Sequence, residues 1–284
     1  MIPIINCQLL VSCCNQNGGL YLINFQNRQY ELKKVLHAEC RGIAKYRNHF
    51  VAVSNKEGIF ILDESLNIMK QKKQNEDLDL HGIAIDHNKA YIVETGTNSI
   101  GIYDLQNNIE KIDTIEFPAE NNDTYHINDI FLLHDTLYIS MFSAPPRKHF
   151  LPFVKPSPDK APEQGAIIKY CLKTKKIIHI CHDKLFQPHS VQLHKDDLYY
   201  CVSAKLQVKR NSEVIFNALG YTRGLALKNG TMFIGQSESR HIERLLQEHT
   251  NLLFDCGVYV HDIHTKLSSF IHIPAQEIYG LLVI

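Results

Sequence analysis

One pattern of polar, small and apolar positions recurs along the chain. Each copy opens with a polar residue and a small one, then runs into a strand-length apolar stretch. About eight residues on, a second apolar stretch ends in a small polar residue. Five copies are complete: CRGIAKYRNHFVAVSN from Cys40, LHGIAIDHNKAYIVET from Leu80, INDIFLLHDTLYISMF from Ile127, PHSVQLHKDDLYYCVS from Pro188 and TRGLALKNGTMFIGQS from Thr222. Further strand-and-turn units follow, as in GIFILDESLN from Gly58, SIGIYDLQNN from Ser99 and GVYVHDIHTK from Gly257. They read as hairpins, since Asp and Asn suit turns.

A sixth copy starts as IYGLLVI at Ile278 and stops at Ile284, while its missing second run, NCQLLVSCC, lies at the other end from Asn6. A closed ring, in which the C-terminal strand completes the N-terminal unit, accounts for both halves. The equivalent small positions Gly42, Gly82, Asp129, Ser190, Gly224 and Gly280 are spaced by 40, 47, 61, 34 and 56 residues. That is close to the roughly 40 to 50 residues of a four-stranded blade once insertions are allowed. The pattern therefore predicts an all-β, six-bladed β-propeller, residues 1–284 as one domain, closed by pairing of the C-terminal strand with the N-terminal blade. A horseshoe or helical solenoid leaves the split unit without an account.

Blades three and five are long at the same junction, between second and third strands. Residues 143–165 contain prolines that forbid continued strand or helix, and residues 238–255 read as a short helix. In a propeller the innermost strand starts on the face where the second strand ends. Both insertions should therefore cover the channel mouth, as a lid over a pocket. Within the first, the stretch from Lys148 to Lys160 mixes aromatic and basic residues that can stack on sugars or bases.

The residue before each small position should line that mouth: Arg41, His81, Asn128, His189, Arg223 and Tyr279. None is aliphatic, and buried polar groups need partners. Two arginines can hold a carboxylate, sulfate, phosphate or acidic sugar, and His81 and His189 can exchange protons near neutral pH. His126, two residues before Asn128, should face the same way. Second-strand ends add Glu94 as a candidate base, with Lys205, Gln236, Ser237 and Ser239; Arg240 and His241 sit in the second insertion. If a divalent metal binds, His81, His126 and His189 are its candidate ligands, though no HExxH-type spacing supports one.

Composition removes other classes. Lys+Arg and Asp+Glu number 30 each, so no net field draws in nucleic acid or an anionic membrane. Hydrophobic residues at 44% and charged at 21% suit a globular core. The eight cysteines show no CxxC spacing and fall mostly in apolar runs, as small buried hydrophobes of a reducing compartment. The opening MIPIINCQLLVSCC lacks a basic leader and a membrane-length apolar run, which points to a cytoplasmic protein.

The second half resembles a bacterial family of uncharacterised six-bladed propeller proteins. The matching pieces are YHINDIFLLHDTLYISMFS from Tyr125, PHSVQLHKDDLYYCVSA from Pro188, GYTRGLALKNGTMFIGQSESR from Gly220 and CGVYVHDIHTKLSSFIHIPAQEIYGLLV from Cys256. The chain departs from that family's HxNG, PHSP and QELYD wording at Asp129, Val191 and Gly280, while keeping His126, Asn128, His189, Arg223 and Tyr279. The resemblance implies the fold and a shared mouth. A weaker likeness to gluconolactonase and regucalcin-like propellers implies a cation held by Glu, Asn and Asp. Only Asn128 has a counterpart here, so the oxygen cage a hard cation needs is missing. Two functions stay open: an enzyme of lyase, epimerase or hydrolase type on a small anionic, sugar-related molecule, and a non-catalytic propeller binding a glycan, metabolite or protein.

Overall fold

The computed structural model describes residues 5–144, 164–238, 245–247 and 249–284. These form six four-stranded antiparallel sheets. Blade one is Ile43–Tyr46, His49–Ser54, Gly58–Leu62 and Ile68–Lys72, and blade two is Leu80–Asp86, Lys89–Glu94, Ser99–Asp104 and Glu110–Glu116. Blade three is Ile127–Leu133, Thr136–Met141, Gly165–Cys171 and Lys176–Leu185; blade four is Pro188–His194, Asp197–Val202, Gln207–Arg210 and Glu213–Asn217. Tyr221–Lys228, Thr231–Ser237, Gly257–Asp262 and Ser268–His272 make blade five. Blade six joins the last strand, Glu277–Val283, to Ile5–Cys14, Gly19–Asn27 and Gln29–Leu36. The six inner strands pack each against the next around a full circle, so the fold is the six-bladed propeller the repeat predicts. Leu9 through Cys14 pair with Val283 back to Glu277 and close it.

Two-residue turns join inner to second strands in the five contiguous blades. They hold residues with positive φ: Arg47, His87, His134, Lys195 with Asp196, and Asn229 with Gly230. The Asn-Gly pair is the preferred sequence for a hairpin whose twist matches its strands. Second strands are buried on both faces, with alternate side chains facing opposite neighbours. In blade two, Ala90 and Ile92 pack with Val51, Val53 and Ile59 of blade one, whereas Tyr91 and Val93 pack with Ile127, Ile130 and Ile139 of blade three. All eight cysteines are free, and Cys13, Cys14, Cys40, Cys201 and Cys256 are buried.

The small polar residues that end the second strands staple one blade to the next. Ser12 Oγ donates to the Arg41 carbonyl, Thr95 Oγ1 to the Ile127 carbonyl at 2.5 Å and Ser237 Oγ to the Ile278 carbonyl at 3.1 Å. Gly280 N–H in turn donates to Ser12 Oγ at 2.9 Å, so one hydroxyl ties the closing strand to blade one. Ser12→Ala removes the partner of the half-buried Gly280 amide, a loss worth about 0.5–1.5 kcal/mol. Its urea midpoint should fall with no change in m-value; an unchanged midpoint would remove the staple from the account of closure.

Candidate functional site

Where the inner strands reach the axis, they leave the regular ladder. Pairing skips His81 and Gly82 in blade two, Asn128 in blade three, Ser190 and Val191 in blade four, Arg223 and Gly224 in blade five, and Tyr279 in blade six. Such bulges re-aim side chains. At blade five the requirement is strict: Gly224 has φ +87°, and a Cβ on the facing Gly235 would collide with the Arg223 carbonyl. Both positions need glycine.

His81 and Arg223 at these bulges meet Arg41 and His126, from the segments leading into blades one and three, and His189, from the start of blade four, at the wall of one cavity of about 190 Å³. Residues without a repeat signature join them: Cys14, Asp79, Phe142, Gln187, Tyr221, Glu238 and Glu277. Phe142 and Glu238 directly follow the second strands of blades three and five, so both insertions leave the propeller at this wall. Of the second insertion, residues 245–247 are helical, and Leu245 is buried against Tyr259 and Leu206. Residues 145–163, with the aromatic-basic stretch, and Ser239, Arg240 and His241 lie outside the described residues.

Charges at the mouth come in pairs. Arg41 Nη1 donates to Asp79 Oδ1 at 2.6 Å, and Arg223 Nη1 stands 3.6 Å from Glu277 Oε2. The Arg223 guanidinium also lies over the Tyr279 ring at 4.0 Å. Yet each arginine keeps a buried Nε–H with no hydrogen-bond partner among the described residues. Glu39 Oε1 is 3.9 Å from that of Arg41.

The three imidazoles share one arrangement. His81 Nδ1 is 2.8 Å from the Asp79 carbonyl, His189 Nδ1 is 2.7 Å from Ser203 Oγ and 3.1 Å from the Gln187 carbonyl, and His126 Nδ1 is 2.9 Å from Asp123 Oδ1. A carbonyl can only accept, so Gln187 draws an Nδ1–H from His189; at His81 the same nitrogen stands 2.9 Å from Arg41 Nη1, which can only donate, so its two neighbours favour opposite tautomers. Burial, then the charges of Arg41, His126 and Arg223, hold His81 well below the usual histidine range, so it is neutral at pH 7. Phe142 separates His126, which it stacks on at 4.4 Å, from His189, which it meets edge-on at 5.0 Å. Among the described residues no three His, Cys, Asp or Glu side chains are grouped to hold a metal ion.

Five expected site residues do not line the cavity. Glu94 is fully buried within its own blade, where its carboxylate accepts from Ser99 Oγ at 2.8 Å, Tyr103 Oη at 2.6 Å and Lys111 Nζ at 2.8 Å. With its oxygens so committed, it is a structural carboxylate and not a base at the mouth. Gln236 anchors the second insertion, donating to the Leu253 and Asp255 carbonyls and accepting from Tyr259 Oη at 2.7 Å. Asn128 is wholly buried, accepting from Ser140 Oγ at 2.7 Å. Tyr279 crosses the channel instead, its hydroxyl donating to the Asn128 carbonyl of the opposite blade at 2.5 Å. Its ring meets His81 edge-on at 5.4 Å and closes the inner end of the mouth. Ser237 does line the cavity; Lys205 does not.

Cys14, also on the wall, donates to Glu277 Oε2 at 3.5 Å. Burial pushes its thiol up to about 11, which keeps it protonated.

These features define a class: a six-bladed propeller whose channel is crossed by a tyrosine beneath a small pocket of arginines, histidines and carboxylates. The chain belongs to the DUF4915 family, a domain of unknown function, which matches it over residues 4–284. No curated protein matches it. Among solved structures it is similar to a chain of a nidogen/laminin complex, with TM-score 0.66, 11% identity and 98% of each chain covered. It is also similar to a luciferin-regenerating enzyme, with TM-score 0.59, 11% identity, and 85% of this chain and 78% of that one covered. A third is a protein from Bacteroides fragilis assigned as a 6-phosphogluconolactonase, with TM-score 0.58, 13% identity and 98% of each chain covered. At these identities the likeness is one of fold. No helix among the described residues is long and apolar enough to cross a membrane.

Two substitutions test these placements. Glu94→Gln should lower the urea midpoint by weakening the Lys111 and Tyr103 contacts, about 1–3 kcal/mol, while leaving any ligand bound at the mouth unaffected; altered ligand affinity would return Glu94 to the site. Because the folded pKa of His81 lies below its unfolded value, the unfolded chain takes up the proton first on acidification. Its contribution to stability is complete above about pH 6.5 and is lost as pH falls below that. His81→Gln should therefore lose less stability than the wild type between pH 7 and 5.5, and parallel curves would show that folding leaves the His81 pKa where it is in the unfolded chain.

Proposed function

We propose that the mouth cavity binds a small anionic molecule, a carboxylate, phosphate, sulfate or acidic sugar, and transforms it by proton transfer through histidine. The carrying observation is that two guanidinium groups, of Arg41 and Arg223, and three imidazoles line one cavity, where a bound oxyanion can accept from an arginine N–H and exchange a proton with a histidine. Asp79 and Glu277 leave the pocket only partly positive. That favours a ligand carrying hydroxyls beside its acid group, because the carboxylates can accept from them.

At about 190 Å³ the cavity is somewhat larger than the roughly 150 Å³ that admits benzene. A six-carbon acid fits that scale. Neutral His81 is suited to take a proton, and His189, once it carries a second proton, to deliver one from another side, which is the chemistry of a lyase, epimerase or hydrolase. Propeller neighbours named for enzymatic activities support reading the mouth as chemically active. A purely binding role is the alternative, supported by the carboxylates already facing both arginines.

Thermal shift against gluconate, citrate, phosphate and sulfate should raise the melting temperature with at least one of them. Arg223→Gln should abolish that shift. His189→Ala should retain it, and in a catalyst should remove turnover. Graded weakening in both variants without turnover in the wild type would favour the binding module, and no shift with any anion would refute the assignment.

A further inference from the structure

Beyond the Tyr279 crossbar lies a second chamber, of about 290 Å³, that shares no lining residue with the mouth. Each blade contributes to its wall the residue after the small position: Ile43, Ile83, Ile130, Val191, Leu225 and Leu281. The rest of the lining is mixed, with Lys45, Ser190, Gln192 and Tyr279 among its polar residues, and it holds one carboxyl. Asp129 occupies in blade three the place that the other blades fill with Gly42, Gly82, Ser190, Gly224 and Gly280.

The Asp129 carboxyl accepts from the Ile130 amide at 3.0 Å and makes no ion pair among the described residues. Facing it are Arg223 from blade five, Tyr279 from blade six and Cys201 from blade four, and Lys45 of blade one lines the same chamber. Burial pushes the carboxyl up to about 7, against the opposing pull of the Ile130 amide, Arg223 and the Ser190 amide. A buried carboxylate is favoured in its ionised form when a counter-charge comes close to it.

We propose that this rear chamber is a second binding site, for a small organic ammonium ion whose apolar body fills the aliphatic ring while its charge pairs with Asp129. The volume is nearly twice the roughly 150 Å³ that holds benzene, so a compact cage or ring fits. Below pH 7 the incoming ammonium keeps its protons and the Asp129 carboxyl releases one to solvent. Well above pH 7 nothing is released. The chamber shares no lining residue with the mouth, although Arg223 acts on Asp129 from that side, and its test does not involve mouth ligands.

The test compares 1-adamantylammonium with neutral 1-adamantanol by isothermal titration calorimetry at pH 5.5 and pH 8. The ammonium should bind about 30-fold tighter at pH 8, following the ionised fraction of a group titrating near 7. At pH 5.5 its heat should vary with the buffer's ionisation enthalpy, as proton release requires. The alcohol should show neither effect. Asp129→Asn, checked for folding by its melting curve, should bind both probes alike and without pH dependence, and Ala84→Phe, which fills the chamber, should bind neither. Equal affinity for the two probes in the wild type at pH 8, a preference that survives Asp129→Asn, or no binding at millimolar concentration would each overturn the proposal.

Discussion

The structure depends on one closure, the antiparallel pairing of the last strand with the first. Leu9 to Cys14 hold Val283 back to Glu277, and the pairing skips Tyr279. That skipped residue crosses the axis, and Glu277 and Arg223 are arranged around it. Ring and pocket are therefore products of the same contact between distant chain segments. Each blade has little independent core, because its side chains pack into its neighbours. An unclosed ring would expose the flanks of two blades and lose the mouth together with its floor.

The fold was legible because it is written six times. A repeat averages out the ambiguity of any one apolar run, and its split sixth copy identified the closing strand directly. Part of the ring was legible for the same reason: the start of the inner strand recurs at one place in the repeat, and Arg41, His81, His189 and Arg223 at that place line one cavity. The failures fall where that logic stops. Glu94 sits at a strand end that seemed to point at the mouth, but Ser99, Tyr103 and Lys111 hold it inside the blade, and cross-strand partners have no local signature. Asn128 and Tyr279 hold their ring positions in sequence, yet spend their polar groups on each other's blade and on Ser140. Asp79, Gln187 and Glu277 come one or two residues ahead of the repeat, where no periodicity marks them. Asp129 was visible as a departure from its equivalents, but its chemistry follows from the aliphatic ring around it.

Electrostatically the channel has two unlike ends. At the mouth, two arginines, three acids and three imidazoles are interleaved, so the net field is small while local donors and acceptors are dense. At the rear, a single carboxyl is set among aliphatic and a few polar side chains. The overall balance of 30 basic and 30 acidic residues hides this contrast. The pairing of charges within the channel is a local property about which global charge is silent.

The bond between the Tyr279 hydroxyl and the Asn128 carbonyl bears on kinetics. With the axis shut there, whatever enters the mouth departs by the same route. Release of one molecule must then precede arrival of the next, and a reaction of two partners would have to load both from one side in sequence. A macromolecule seated across that opening would trap its contents, so anything docking on this face would act as a gate on exchange.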